Sequence, residues 1–183
     1  MKTTTKLIAT AAIAGAIFFA GNVKAQTTPV NAFRFGIGIE PGIPTGDETP
    51  RSNFELGGTA RLQYGVSKNF ALTLTSGFYD FFGKERPNST DKYPDHHIIP
   101  AKVGVKAFFS PNIYFGAEAG PGFSLNNGNT KLILAPALGY ANQTWDVGVR
   151  YENFSGGPLT VNGVTTTSNY GMVALRVAYG FGL

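Results

Sequence analysis

Residues Trp145 to Glu152 read WDVGVRYE. Counted by twos, Trp145, Val147, Val149 and Tyr151 fall on one face, and Asp146, Gly148, Arg150 and Glu152 on the other. A period of two belongs to a β-strand, whose successive side chains point to opposite faces. The stretch carries three charges and a glycine on one face, and only large apolar or aromatic groups on the other.

The same sorting repeats on both sides of this stretch, in seven further segments that make eight in all. Before it come FRFGIGIE from Phe33, FELGGTARLQY from Phe54, FALTLTSGFY from Phe70, IPAKVGVKAFF from Ile99, IYFGAEAGPGF from Ile113 and LILAPALGY from Leu132; VALRVAYGF from Val173 follows it. Eleven charges share the small-residue face: Arg34, Glu40, Glu55, Arg61, Lys102, Lys106, Glu118, Asp146, Arg150, Glu152 and Arg176. Asp80, beside a loop, is the one strand charge in the apolar register. A charge facing hydrocarbon costs about 2–4 kcal/mol at mid-bilayer, so its exclusion from one face marks that face as lipid-facing. An eight-strand barrel is only wide enough to be filled by its own side chains. Six basic and five acidic groups are therefore expected to pair across the lumen as an ion network. A soluble lipocalin-like barrel inverts this sense and would fill its inside with Phe, Trp and Leu.

The connections alternate in length. Ser67 to Asn69, Ser110 to Asn112 and Ala141 to Thr144 are short; Thr45 to Ser52, Gly83 to His96, Asn126 to Thr130 and Phe154 to Ser168 are longer and polar. Short turns at one end and long loops at the other are the habit of outer-membrane barrels. Outward aromatics collect at the short-turn end: Phe33, Tyr64, Phe70, Phe109, Phe115, Tyr140, Trp145, Tyr179 and Phe181. They predict a girdle at one membrane interface. Phe54, Phe78, Phe123 and Tyr151 predict a sparser second one.

Residues 1–25 carry a basic start, the apolar run LIATAAIAGAIFFAG and small residues at Val23 and Ala25. This is a cleavable secretory signal peptide by pattern, leaving 26–183 as one barrel domain. Of 15 basic residues, Lys2, Lys6 and Lys24 leave with it, so 12 face 11 acids in the mature chain. Nucleic-acid binding, which needs a basic stripe, is not expected. No Cys is present, which excludes a thiolate metal site, a Cys nucleophile and a disulfide scaffold.

The segments IPAKVGVKAFFSPNIYFGAEAGPGF (Ile99 to Phe123), LAPALGYANQTWDVGVRYE (Leu134 to Glu152) and VALRVAYGFGL (Val173 to Leu183) resemble the outer-membrane β-barrel domain family common in Bacteroidota. That family is similar in architecture to the small OmpA/OmpX-type barrels. The resemblance implies an all-β, eight-stranded antiparallel up-and-down transmembrane barrel in the bacterial outer membrane. It implies more about fold and place than about activity. The closing Phe181-Gly182-Leu183 departs from the terminal aromatic residue many such barrels carry.

Candidates for chemistry are sparse. Asp95-His96-His97 could hold a metal, but neighbouring residues on a strand point apart. Ser89, Asp91, Asp95 and His96 lack the ordering of a hydrolase motif, and Asp146, Arg150 and Glu152 read as an ion network. No cofactor, metal site or catalytic residue is expected. Pro121 and Pro136 interrupt two strands and are expected to sit nearly opposite each other at a shared bulge. The expected role is structural or loop-mediated binding at the cell envelope by a non-enzymatic monomer. Its partners would be outer-membrane lipid, periplasmic chaperones, the barrel-assembly machinery and an unidentified extracellular ligand. Alternatives are a transport or secretion accessory, a lipid-modifying barrel enzyme, or a soluble binder.

Overall fold

The computed structural model describes residues 29–183 apart from 88–90, 127, 157–158, 162–163 and 167–168. The expected leader and Ser89 therefore lie outside the described residues. Ten strands follow in order: β1 (Phe33–Gly46), β2 (Ser52–Gly65), β3 (Phe70–Gly83), β4 (His96–Phe108), β5 (Ile113–Ser124), β6 (Thr130–Ala141), β7 (Trp145–Gly156), β8 (Leu159–Val161), β9 (Val164–Thr166) and β10 (Asn169–Gly182).

Eight of them close an antiparallel barrel in the order β1-β10-β7-β6-β5-β4-β3-β2. Each pairs with its neighbour in sequence, and β1 pairs with β10 to complete the ring. Closure leaves no unpaired edge, so every ladder donor and acceptor has a partner strand. The barrel strands run 12 to 14 residues, more than the 9–11 that a tilted strand needs to cross a bilayer.

The faces divide as the alternation predicts. Val149 (53 % exposed), Leu175, Ile37, Leu74 and Val103 stand outside, while all eleven sorted charges are buried inside. Asp80 faces outward, where its carboxylate lies 3.0 Å from Nδ1 of His97 across the β3–β4 ladder.

Two features depart from the sequence reading. The stretch expected as a loop from Phe154 to Ser168 instead continues β7 to Gly156 and adds the β8–β9 hairpin, Leu159 pairing with Thr166. The prolines share no bulge. Ala117 pairs with Pro136 and Pro121 with Leu132, in a β5–β6 ladder of constant register from Ile113↔Tyr140 to Phe123↔Thr130. The Phe123↔Thr130 pair sets the middle of this hairpin before Gly128, so the two prolines are offset. Each missing N–H falls on the far side of its strand. The β4–β5 pairs skip from Pro100↔Gly122 to Val103↔Ala119, and the β6–β7 pairs from Leu134↔Asn153 to Ala137↔Arg150. A lost ladder bond beside a proline interrupts pairing there without changing register.

Inward glycines make room for two tyrosines. A Cβ on Gly139 would stand 2.6 Å from the Tyr114 hydroxyl, and one on Gly57 2.6 Å from the Tyr79 ring. Gly58, one residue on, faces outward with nothing within 4 Å of its Cβ position. Gly139→Val is expected to destabilise the barrel by about 1–3 kcal/mol through overpacking. Gly58→Val is expected to leave stability within about 0.5 kcal/mol. Urea unfolding followed by Trp145 fluorescence separates the two.

Candidate functional site

Among the described residues, buried charged side chains concentrate in the lumen. Nine of its eleven charges join into a single network. Arg150, midway along β7, is the hub. Its Nη1 donates to Glu40 at 2.6 Å, its Nη2 pairs with Glu118, and Glu152 lies 3.4 Å from Nη1. Glu118 also takes Arg61 at 3.0 Å and the hydroxyls of Thr73 and Thr75. Glu40 pairs with Arg176 and accepts from Thr59 and from the Tyr79 hydroxyl at 3.1 Å. Lys102 pairs with Glu152 and donates to Tyr79 at 2.7 Å. Asp146 gathers Lys106 at 2.5 Å, Arg61 at 3.3 Å and the Tyr114 hydroxyl at 2.7 Å. Charges removed from water need several partners each, and here they have them.

Two charges placed in the network by sequence lie outside it. Glu55 is fully buried, yet neither carboxylate oxygen has a hydrogen-bond partner and it makes no ion pair among the described residues. It lies beside Met172 and above Gly42 and Gly57. Arg34 makes no ion pair among the described residues and donates only to the Asn142 carbonyl, 2.8 Å away. Alternation fixes which face a residue takes but not its height, and both residues sit beyond the reach of the paired groups.

The loop end of the lumen is not polar. Tyr79, Phe81, Ile98, Ile133, Phe154, Tyr170 and Met172 form one buried cluster there. Phe154 stacks on Tyr170 at 4.8 Å between ring centres, and Phe81 packs edge-on against both. A smaller cluster of Phe108, Tyr114 and Ala141 sits toward the short turns. The interior is thus filled from end to end, polar in the middle and apolar at the loop end. The eleven charges sorted to the inner face in the sequence are thus joined at the loop end by buried aromatic and aliphatic groups.

The histidines separate as strand geometry requires. His96 points inward, stacked on Phe81 at 4.9 Å with its Nε2 3.2 Å from the Tyr170 hydroxyl. His97 points outward and stacks on Phe78 at 5.4 Å. Asp95 turns to a third direction and accepts the Gly83 N–H at 2.7 Å. The three do not converge, and no cluster of metal-ligating groups occurs among the described residues. Ser89 lies outside the described residues.

Above the apolar plug, the β1–β2 turn folds back over the mouth. Glu48 accepts from Ser52 at 3.2 Å, its Oε1 lies 3.8 Å from Nδ1 of His96, and Arg51 and Lys131 lie near. Burial raises the Glu48 carboxyl above its ordinary range, against smaller lowering effects from Ser52, Arg51 and Lys131. A carboxyl raised in the folded state favours the fold while protonated, and that contribution fades as pH rises through its folded pKa. Amide exchange in residues 47–51 is therefore expected to quicken from acid to neutral pH, beyond the intrinsic pH effect. Glu48→Gln should lose the excess. A difference between the two proteins that is flat with pH would remove Glu48 as its source.

Aromatic groups line the outside near the short turns. Phe33 and Tyr64 lie 4.8 Å apart across β1–β2, and Phe109 and Phe115 5.1 Å apart across β4–β5. Trp145 meets Tyr179 edge-on at 5.5 Å, and Tyr179 meets Phe181 at 6.3 Å. Phe70 and Tyr140 complete the set at the strand ends facing the same turns.

No family model matches this chain, and no curated protein matches it. Among solved structures, the chain is similar to Ail, the attachment invasion locus protein of Yersinia pestis, with a TM-score of 0.53 and 14 % identity over 84 % of this chain and 100 % of that one. The backbone structure of Ail in a phospholipid bilayer nanodisc gives a TM-score of 0.52 at 14 % identity, over 82 % of this chain and 99 % of that one. OprG, an outer membrane protein of Pseudomonas aeruginosa, aligns at a TM-score of 0.48 and 7 % identity, over 87 % of this chain and 99 % of that one. The fold is that of an eight-stranded outer-membrane β-barrel.

Proposed function

We propose that this chain is an integral outer-membrane barrel that holds a loop surface at the cell exterior and neither conducts solutes nor catalyses a reaction. The inverted sorting of side chains carries this reading. Charges fill the inside, and large apolar groups such as Ile37 and Val149 cover the outside. Water gives no reason for that arrangement, and a bilayer does. The aromatic rim at the short-turn end fits a periplasmic interface, reached by export through the signal-peptide-like leader and by barrel assembly.

A binding role at the loops is supported by their mutual bracing. Lys84 donates to the Thr49 carbonyl at 2.7 Å, and Asn126 receives the His97 N–H and donates to the Asp95 carbonyl. Three loops are thereby held as one surface, which lowers the ordering cost of recognition. Ail, a protein named for attachment, shares this fold.

The deciding experiment compares mobility of the membrane-fraction protein in SDS, unboiled against boiled. The cold sample is expected to migrate differently, as a barrel that resists SDS. An unchanged band, with the protein soluble in periplasmic extract, would reverse the faces and make the chain a soluble binder. The pure protein is also expected to be silent in planar bilayers, because side chains close the lumen.

A further inference from the structure

The short-turn end of the lumen holds more positive charge than its partners absorb. Arg34 is buried there; its Nη1 donates to the Asn142 carbonyl, and its Nη2 has no acceptor. The Nε of Arg176 also lacks a hydrogen-bond partner, with Asp146 Oδ2 3.8 Å away. Both arginines line one small cavity together with Arg61 and Asp146. Asp146 is the sole acid on its wall, and both its oxygens are already occupied. Oδ1 accepts from Tyr114, and Oδ2 from Lys106 and Arg61. Three guanidinium groups thus face a space whose only carboxylate is shared elsewhere.

We infer that this cavity binds one small monovalent inorganic anion of halide size, among the guanidinium groups of Arg34, Arg61 and Arg176 that line it. The cavity volume is about 10 Å³, about that of one water-sized sphere. A phosphate or an organic acid needs several times that space. A water molecule there would leave the buried charge uncompensated, which is costly away from solvent. A single negative charge also reduces the positive excess of the lumen, where six basic residues face five acids. One of those five, Glu55, does not neutralise the short-turn end, since it lies beside Met172 in the apolar cluster.

The test uses the refolded full barrel in detergent. Crystals grown in bromide are expected to show an anomalous peak in the cavity lined by Arg34, Arg61 and Arg176, absent from Arg34→Gln crystals. In solution, chloride or bromide should raise the urea midpoint over gluconate at equal ionic strength, with a saturable dose dependence as for a ligand of the native state. Arg34→Gln should erase the difference. A water peak with no anomalous signal, or identical midpoints in halide and gluconate for the unsubstituted protein, would overturn the inference. So would a bromide peak unchanged in Arg34→Gln. The unsubstituted protein decides the matter if the variant fails to fold.

Discussion

Arg150→Met is expected to lower the unfolding free energy of the barrel by about 3–5 kcal/mol, the cost of leaving a buried charge without its partner. Arg150 touches three carboxylates, those of Glu40, Glu118 and Glu152. Their other cations are already divided. Arg61 serves Glu118 and Asp146, Arg176 serves Glu40 and Asp146, and Lys102 serves Glu152. Removing the hub exposes three acids to one another in a space with little water. Adding Glu118→Gln to Arg150→Met removes one stranded charge and is expected to recover part of the loss. The coupling, read from a double-mutant cycle of urea midpoints, should be well above the 0.5 kcal/mol typical of independent sites. Additive losses would mean that water reaches the network and screens it.

The sorting that makes this experiment worth doing was legible in the sequence, because side-chain period is a property of each strand alone. WDVGVRYE shows it without reference to any other segment. Pairing within the lumen was not legible, because it depends on height and on distance across the barrel. Arg176 and Glu40 meet although they lie 136 positions apart. The same limit explains Glu55 and Arg34, which take the expected face and find no acid or base at their level. The apolar plug had a visible signal that alternation alone understates. On β7 the inward positions pass from Arg150 and Glu152 to Phe154, and on β4 from Lys102 to Ile98 toward the loop end. Inward charge gives way to inward apolar groups along both strands. The β8–β9 hairpin also left a trace. Val161 and Val164 bracket Asn162-Gly163, the strongest short-range hairpin signal. Its polar flanks, Thr160 and Thr165 to Ser168, mask that signal. The offset of the prolines was not legible because it depends on the turn, whose middle precedes Gly128. That glycine, at φ 67°, instead takes the left-handed position late in the turn.

Val149→Arg is expected to cost about 2–4 kcal/mol in a bilayer, because Val149 faces outward at the middle of the barrel wall. It pairs with Leu138 on one side and Leu175 on the other, far from both strand ends. Phe181→Arg, near the end of β10 beside the rim aromatics, is expected to cost about 0–1 kcal/mol, since an arginine there reaches the interface. A gradient with depth is the signature of a hydrocarbon slab around the protein. A water-soluble barrel predicts the opposite. Val149 is half exposed, and a charge on a wet surface usually changes stability by less than about 0.5 kcal/mol. Losing a rim aromatic would then be at least as costly as the central substitution. Reversible urea unfolding of both variants in lipid vesicles gives the two numbers. A steep loss at Val149 with a shallow one at Phe181 fixes the apolar face in lipid. Equal small changes would put that face in water and leave its large exposed apolar surface waiting for another cover.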